Sequence, residues 1–89
     1  MPERHVTVAS KVGLHARPAA LLAKAASSQP MSITIRKQGG APVEAGSILG
    51  LMTLGAAHGD EVVLAADGEG ADAALDTIAD MISSDLDES

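Results

Sequence analysis

No aromatic ring is available to the core of this chain: its 89 residues include no Phe, Tyr or Trp, and 17 of its 41 hydrophobic residues are alanine. Any interior must therefore be thin and built from valine, isoleucine, leucine and methionine. A chain this short is expected to form one domain over residues 1–89, with no room for a second. Without rings on which bases could stack, and with a net charge of −6, nucleic-acid binding is not expected. The absence of cysteine removes both a disulfide framework and a zinc-finger spacing. The start of the chain lacks a signal peptide's apolar core, and the longest apolar-leaning stretch, 48–57, is glycine-broken and too short to cross a bilayer. A cytoplasmic protein without metal or cofactor is the expectation.

Hydrophobic periodicity divides the chain into seven elements. Residues 4–9 alternate polar and apolar, which predicts a half-buried strand with Val6 and Val8 inward and His5 outward and solvated. Strong helix formers follow as far as Ser27–Pro30, where proline stops them. Residues 31–37 form the clearest strand, with Met31, Ile33 and Ile35 on one face; Gln38-Gly39-Gly40 turns the chain back into a third strand over 41–45. Pro42 has no N–H for a ladder, so that strand belongs at a sheet edge. Ser47 suits the cap of a short helix over 48–54. A fourth strand, apolar on both faces and hence central, lies within 60–67. A last helix starts near Ala71, with Asp72, Asp76 and Asp80 along a solvated stripe. The order β-α-β-β-α-β-α predicts an α+β domain with helices on one face of a mostly antiparallel sheet.

The stretch 13–20, Gly-Leu-His-Ala-Arg-Pro-Ala-Ala, carries the chemistry. Gly13 permits a sharp turn and Pro18 is tolerated in a first helical turn, so the first helix begins at or just after His15. That puts an imidazole at a helix end whose N–H groups are unpaired and whose dipole disfavours the charged ring. Arg17 adds a planar fork of donors suited to phosphate oxygens. His15, Arg17 and the N–H groups of Ala16 and Arg17 could together take up a phosphoryl group and stabilise its charge. The plainer alternative is an ordinary N-terminal histidine beside a solvated arginine. All six Lys and Arg residues lie in the first 37 positions and eleven of twelve acids follow them, so a basic part is expected around His15.

The helix at 48–54 holds Ile48, Leu49, Leu51, Met52 and Leu54, too many for one buried face of so short an element. Some must face water, where an adaptable methionine beside Ile and Leu suits docking on several partners. The alternative is that all of them fill the core.

Gly-Leu-His-Ala-Arg-Pro-Ala resembles the active-site signature of the histidine-containing phosphocarrier (HPr) family of the bacterial sugar phosphotransferase system. A second block, 47–55, resembles that family's regulatory serine and second helix, at the expected spacing from the first. The resemblance implies an open-faced sandwich of four strands with three helices on one side. It implies that His15 is the phosphoryl acceptor, assisted by Arg17, and that enzyme I is the donor and IIA domains of sugar permeases the acceptors. Ser47 becomes a regulatory phosphorylation site, open to a serine kinase and to transcription regulators. Ile48, Leu49, Met52 and Lys24 become the partner-binding set. A monomer, touching membranes only through permease complexes, is expected. Val12 departs from the pattern, since many members carry there a small polar residue that helps orient the imidazole; backbone groups are left to hold the ring.

The chain shows no Walker-type glycine-lysine loop and no carboxylate cluster for a metal, so any phosphoryl group must come from a partner. A carrier protein rather than an enzyme is the expectation. The alternative is a binding module that signals through Ser47 alone; related proteins of that kind lose the reactive histidine, which is present here. A purely structural domain would leave both blocks unexplained.

Overall fold

The computed structural model describes residues 2–9 and 16–84. Their elements run β1 (Glu3–Thr7), α1 (Ala16–Ser27), β2 (Ile33–Lys37), β3 (Val43–Glu44), α2 (Ile48–Leu54), β4 (Glu61–Ala66) and α3 (Ala71–Ser83), in the expected order. The four strands make one sheet in the order β1-β4-β2-β3. Every pairing is antiparallel, with Val6 opposite Val62, Ile35 opposite Leu64 and Thr34 opposite Glu44. β4 is central, as its doubly apolar sequence predicts.

The helices cover one face of this sheet. α1 and α3 each bring a stripe at helical spacing, Ala19, Leu22, Ala23 and Ala26 from the first and Ala71, Ala74, Leu75, Ile78 and Ile82 from the second, and α2 brings Leu51. They meet Ile33, Ile35, Val62 and Leu64 from the sheet. Eight of the nineteen buried hydrophobic residues described are alanines. The other face of the sheet is open and polar, except that Val63, paired in register with His5 and Arg36, is only 1% exposed. The long stems of such neighbours shield apolar surface while their polar ends stay in water.

Several boundaries differ from the sequence reading for local reasons. β3 shrinks from 41–45 to Val43–Glu44, since Pro42 cannot donate to a ladder; it lies at the sheet edge as expected. β2 begins at Ile33, although Met31 still packs partly buried against the core. β1 ends at Thr7, leaving Val8 and Ala9 beyond the ladder. His5 points outward as expected but is not merely solvated: its Nδ1 lies 2.9 Å from Glu61 Oε2.

The acidic stripe of α3 is also more than a solvated face. Arg4 donates from Nε to Asp76 at 2.9 Å and from Nη2 to Asp72 at 3.2 Å, so one guanidinium spans two carboxylates a helical turn apart. The hydrogen bond it donates to Asp76, reinforced by that to Asp72, holds the Arg4 guanidinium further above its already high ordinary range. Isolated surface pairs contribute little, but a fork held by two acids has the fixed geometry that such pairs usually lack. Arg4→Gln is therefore expected to lower the melting temperature at low ionic strength, and the gap from the parent protein should narrow as salt screens the pairs. Thermal unfolding at two salt concentrations measures both; an unchanged melting temperature at low salt would show that the fork contributes nothing.

Candidate functional site

α1 begins at Ala16, so its first turn contains Ala16, Arg17 and Pro18 and no acidic residue. In that turn the backbone N–H groups have no carbonyl one turn earlier within the helix. His15 is the residue immediately before Ala16 in sequence; it lies outside the described residues, as do Val12 and Gly13. Arg17 is exposed at the second helical position. Lys24, also exposed, stands two turns further along, about 10 Å down the same side of the helix. Between them lies Leu21, 42% exposed. The buried stripe 19-22-23-26 leaves Leu21 on the outer face, a placement that the helical spacing of that stripe makes legible in the sequence.

α2 packs against α1 and supplies the apolar part of this region. Ser47 caps it as expected: its backbone is extended (φ −109°, ψ 119°) and its Oγ accepts the Gly50 N–H at 3.0 Å. At the other end Gly55 adopts the left-handed conformation (φ 68°) and donates its N–H to the Met52 carbonyl at 3.3 Å. Only glycine does this without strain from a Cβ. Gly50 has a different constraint, since a Cβ there would sit 3.2 Å from the Glu44 carbonyl oxygen. With both ends fixed and Gly50 against the β3 backbone, Leu51 alone is fully buried, and Ile48, Leu49 and Met52 are 45%, 76% and 43% exposed. The apolar surplus does face water.

Some of the described basic side chains are engaged by acids. Arg4 is engaged by Asp72 and Asp76, and Lys37 lies 3.7 Å from Asp60. Arg36 is on the open face of the sheet, leaving Arg17 and Lys24 as the described cations on α1. The other two histidines, His5 and His58, are exposed and stand apart from α1, on β1 and in the turn before β4. An open cleft of about 530 Å³ lies beside Ser47, bordered by Gln29, Ser32, Glu44 and Gly46. Its polar lining contains a carboxylate and no cation, the wrong chemistry for a phosphate. Among the described residues no group of three His, Asp or Glu side chains could hold a metal ion, and no helix is long and apolar enough to cross a membrane.

Comparison with known proteins bears directly on these features. A family model described as the PTS HPr component phosphorylation site matches residues 2–84. A phosphocarrier protein HPr of Streptomyces coelicolor is 47% identical over 88 residues, spanning 99% of this chain and 95% of the relative. A crystal structure of HPr from Thermoanaerobacter tengcongensis superposes with a TM-score of 0.90 at 38% identity, covering 100% of this chain and 99% of that one. An HPr dimer from the same organism superposes with a TM-score of 0.74 at 39% identity, covering 99% and 100%. The likeness runs through both helices that carry the exposed arginine and the apolar patch, and through the sheet beneath them. The chain belongs to the HPr family of the phosphotransferase system, whose members are phosphocarrier proteins and not catalysts.

Proposed function

We propose that the protein accepts a phosphoryl group on His15 from enzyme I, which draws it from phosphoenolpyruvate, and passes it to IIA domains of sugar permeases in the cytoplasm. It does so as a single monomeric domain, meeting membranes only through the permease complexes it serves. The observation that supports this reading is the start of α1 at Ala16, the residue after His15 in sequence, with Arg17 exposed at the second helical position. In the transfer, a neutral imidazole nitrogen forms a bond to phosphorus as the donor's bond to phosphorus breaks. The charge on the transferring oxygens is met by the Arg17 fork and by the first N–H groups of α1, those of Ala16 and Arg17. Because the donor and acceptor are larger proteins, the carrier must also be recognised. Ile48, Leu49 and Met52 give an apolar docking surface, and Lys24 extends it with a charge.

His15→Ala is expected to abolish an acid-labile, alkali-stable phosphorylation by enzyme I and phosphoenolpyruvate, while His5→Ala and His58→Ala leave it intact. Arg17→Lys should slow it without lowering the melting temperature, because the charge remains and the fork is lost. Intact mass under alkaline conditions reads all four variants. A mass increment that survives His15→Ala sinks the assignment.

Docking through α2 makes a separate prediction. Met52→Glu should raise the KM for enzyme I by about tenfold, since an exposed apolar contact becomes a buried charge in the complex. It should change unfolding stability by less than about 0.5 kcal/mol, as expected of an exposed position. A large stability loss, seen by denaturant titration, would assign Met52 to the core instead.

Ser47 is proposed as a second, regulatory phosphorylation site, serving a serine kinase and transcription regulators. As a cap its replacement by alanine should cost about 0.5–2 kcal/mol. Aspartate caps as well as serine and its charge is favourable at a helix start, so Ser47→Asp should keep the melting temperature. The same charge adjoins Ile48 and Leu49 and should slow His15 phosphorylation by an acidic partner, with the defect shrinking as salt rises. Initial rates at low and high ionic strength decide this; an equal rate at low salt reduces Ser47 to a cap.

A further inference from the structure

The chain has no cysteine, tryptophan or tyrosine, so the methionine thioether is the softest and most readily oxidised side chain it offers. Of its four methionines, Met1 lies outside the described residues. Met31 and Met81 are partly buried against the core. The Met31 Cε lies 3.7 Å from where a Cβ on Gly70 would stand, at the head of α3, and Met81 sits in the last turn of that helix. Met52 is the one described methionine among the large exposed apolar residues, at 43%.

This exposure follows from the seating of α2. Leu51 fills the core, so the next residue, about 100° further around the helix, is turned outward. The backbone there is held: the Met52 carbonyl accepts the Gly55 N–H at 3.3 Å, and at the other end Ser47 Oγ accepts the Gly50 N–H at 3.0 Å. Ile48 and Leu49 stand four and three residues earlier, which puts all three side chains on one side of the helix. An oxygen added to the Met52 sulfur would therefore enter the exposed patch and leave the interior alone. The same oxygen on Met31 or Met81 would bring a polar group against the core.

We propose that Met52 is a site of reversible oxidation, at which peroxide weakens partner docking and leaves the fold intact. The proposal rests on the reading of α2 as the surface that enzyme I grips. In the step a lone pair on sulfur attacks one oxygen of hydrogen peroxide. The O–O bond breaks as the S–O bond forms, and after a proton transfer the second oxygen leaves as water. Sulfur is oxidised by two electrons and the peroxide is reduced by two. The sulfoxide is polar where the thioether was apolar and adaptable. On the free protein water solvates it. In the complex it must give up that water beside Ile48 and Leu49, which costs affinity. Sulfoxide reductases return the thioether, so the change can be undone.

The test exposes the protein to graded hydrogen peroxide, removes the excess with catalase before enzyme I is added, and follows each methionine by peptide mapping. Met52 is expected to oxidise at least about fivefold faster than Met31 and Met81, in keeping with its exposure. The Met52-oxidised protein should melt within about 3 °C of the untreated one. Its KM for enzyme I should rise at least about threefold with kcat within about twofold, and treatment with sulfoxide reductases should reverse the rise. Met52→Leu has no sulfur at that position, so whatever its own KM, peroxide should not move it. Equal oxidation of Met31 or Met81 overturns the proposal, as does an unmoved KM after complete oxidation of Met52. A peroxide-dependent rise that persists in Met52→Leu also overturns it, tracing the effect to another residue. Met52→Glu separates this failure from that of the docking reading: if it raises KM while the sulfoxide does not, the docking surface stands and only the oxidation site falls, and if neither moves KM, both fall.

Discussion

Alanine sets the distance between the helix layer and the sheet, and the rest of the molecule follows from it. Ala19, Ala23 and Ala26 on α1 and Ala71 and Ala74 on α3 let those helices lie close over Ile33, Ile35, Val62 and Leu64. Interiors tolerate few voids, so a core made of small residues compels close approach. A larger side chain at any of these positions would have to displace a helix or leave its rotamer. Because α1 starts beside His15, its seating on the sheet also seats the first helical turn.

The same economy of volume explains the docking surface. Once α1 and α3 occupy the sheet, the space left for α2 accepts Leu51 and part of Leu54. The Ser47 cap, the left-handed Gly55 and the close contact of Gly50 with the Glu44 carbonyl determine which way the short helix faces. Its remaining apolar residues are then exposed by geometry, not by any flaw in packing. An exposed apolar face beside an arginine-bearing helix start suits a protein that must be held by several partners in turn.

Much of the fold was legible in the sequence because its signals are local. The alternation in β1, the doubly apolar β4, Pro42 at the edge and Ser47 at the head of α2 each have a short-range cause, and each element lies where that cause puts it. What was not legible depends on contacts distant in the sequence. Asp72 and Asp76 read as a solvated stripe because nothing in their neighbourhood announces Arg4, and the pairing of His5 with Glu61 needs the register of β1 on β4. The hydrogen bond that the Ala9 N–H donates to the Ile82 carbonyl in the last turn of α3, at 3.1 Å, has no side-chain signature at all. At the site, the exposure of Ile48, Leu49 and Met52 followed from counting apolar residues on a short helix, while Leu21 required asking which positions of α1 were surplus to its buried stripe. The basic residues sit early in the sequence, but folding engages Arg4 and Lys37 with acids from the later half, pairings that the linear order does not announce.

The shortness of β3 bears on how the protein behaves in a crowd. An exposed sheet edge invites the strand of another molecule, and the longer and flatter it is, the greater the hazard. Here one margin of the sheet offers two paired residues preceded by a proline that cannot donate, which gives an incoming strand almost nothing to copy. The flux through a diffusing carrier rises with the number of copies present. At the β3 margin the proline that truncates the strand therefore works against copies zipping together, an advantage to a protein that must diffuse singly between partners.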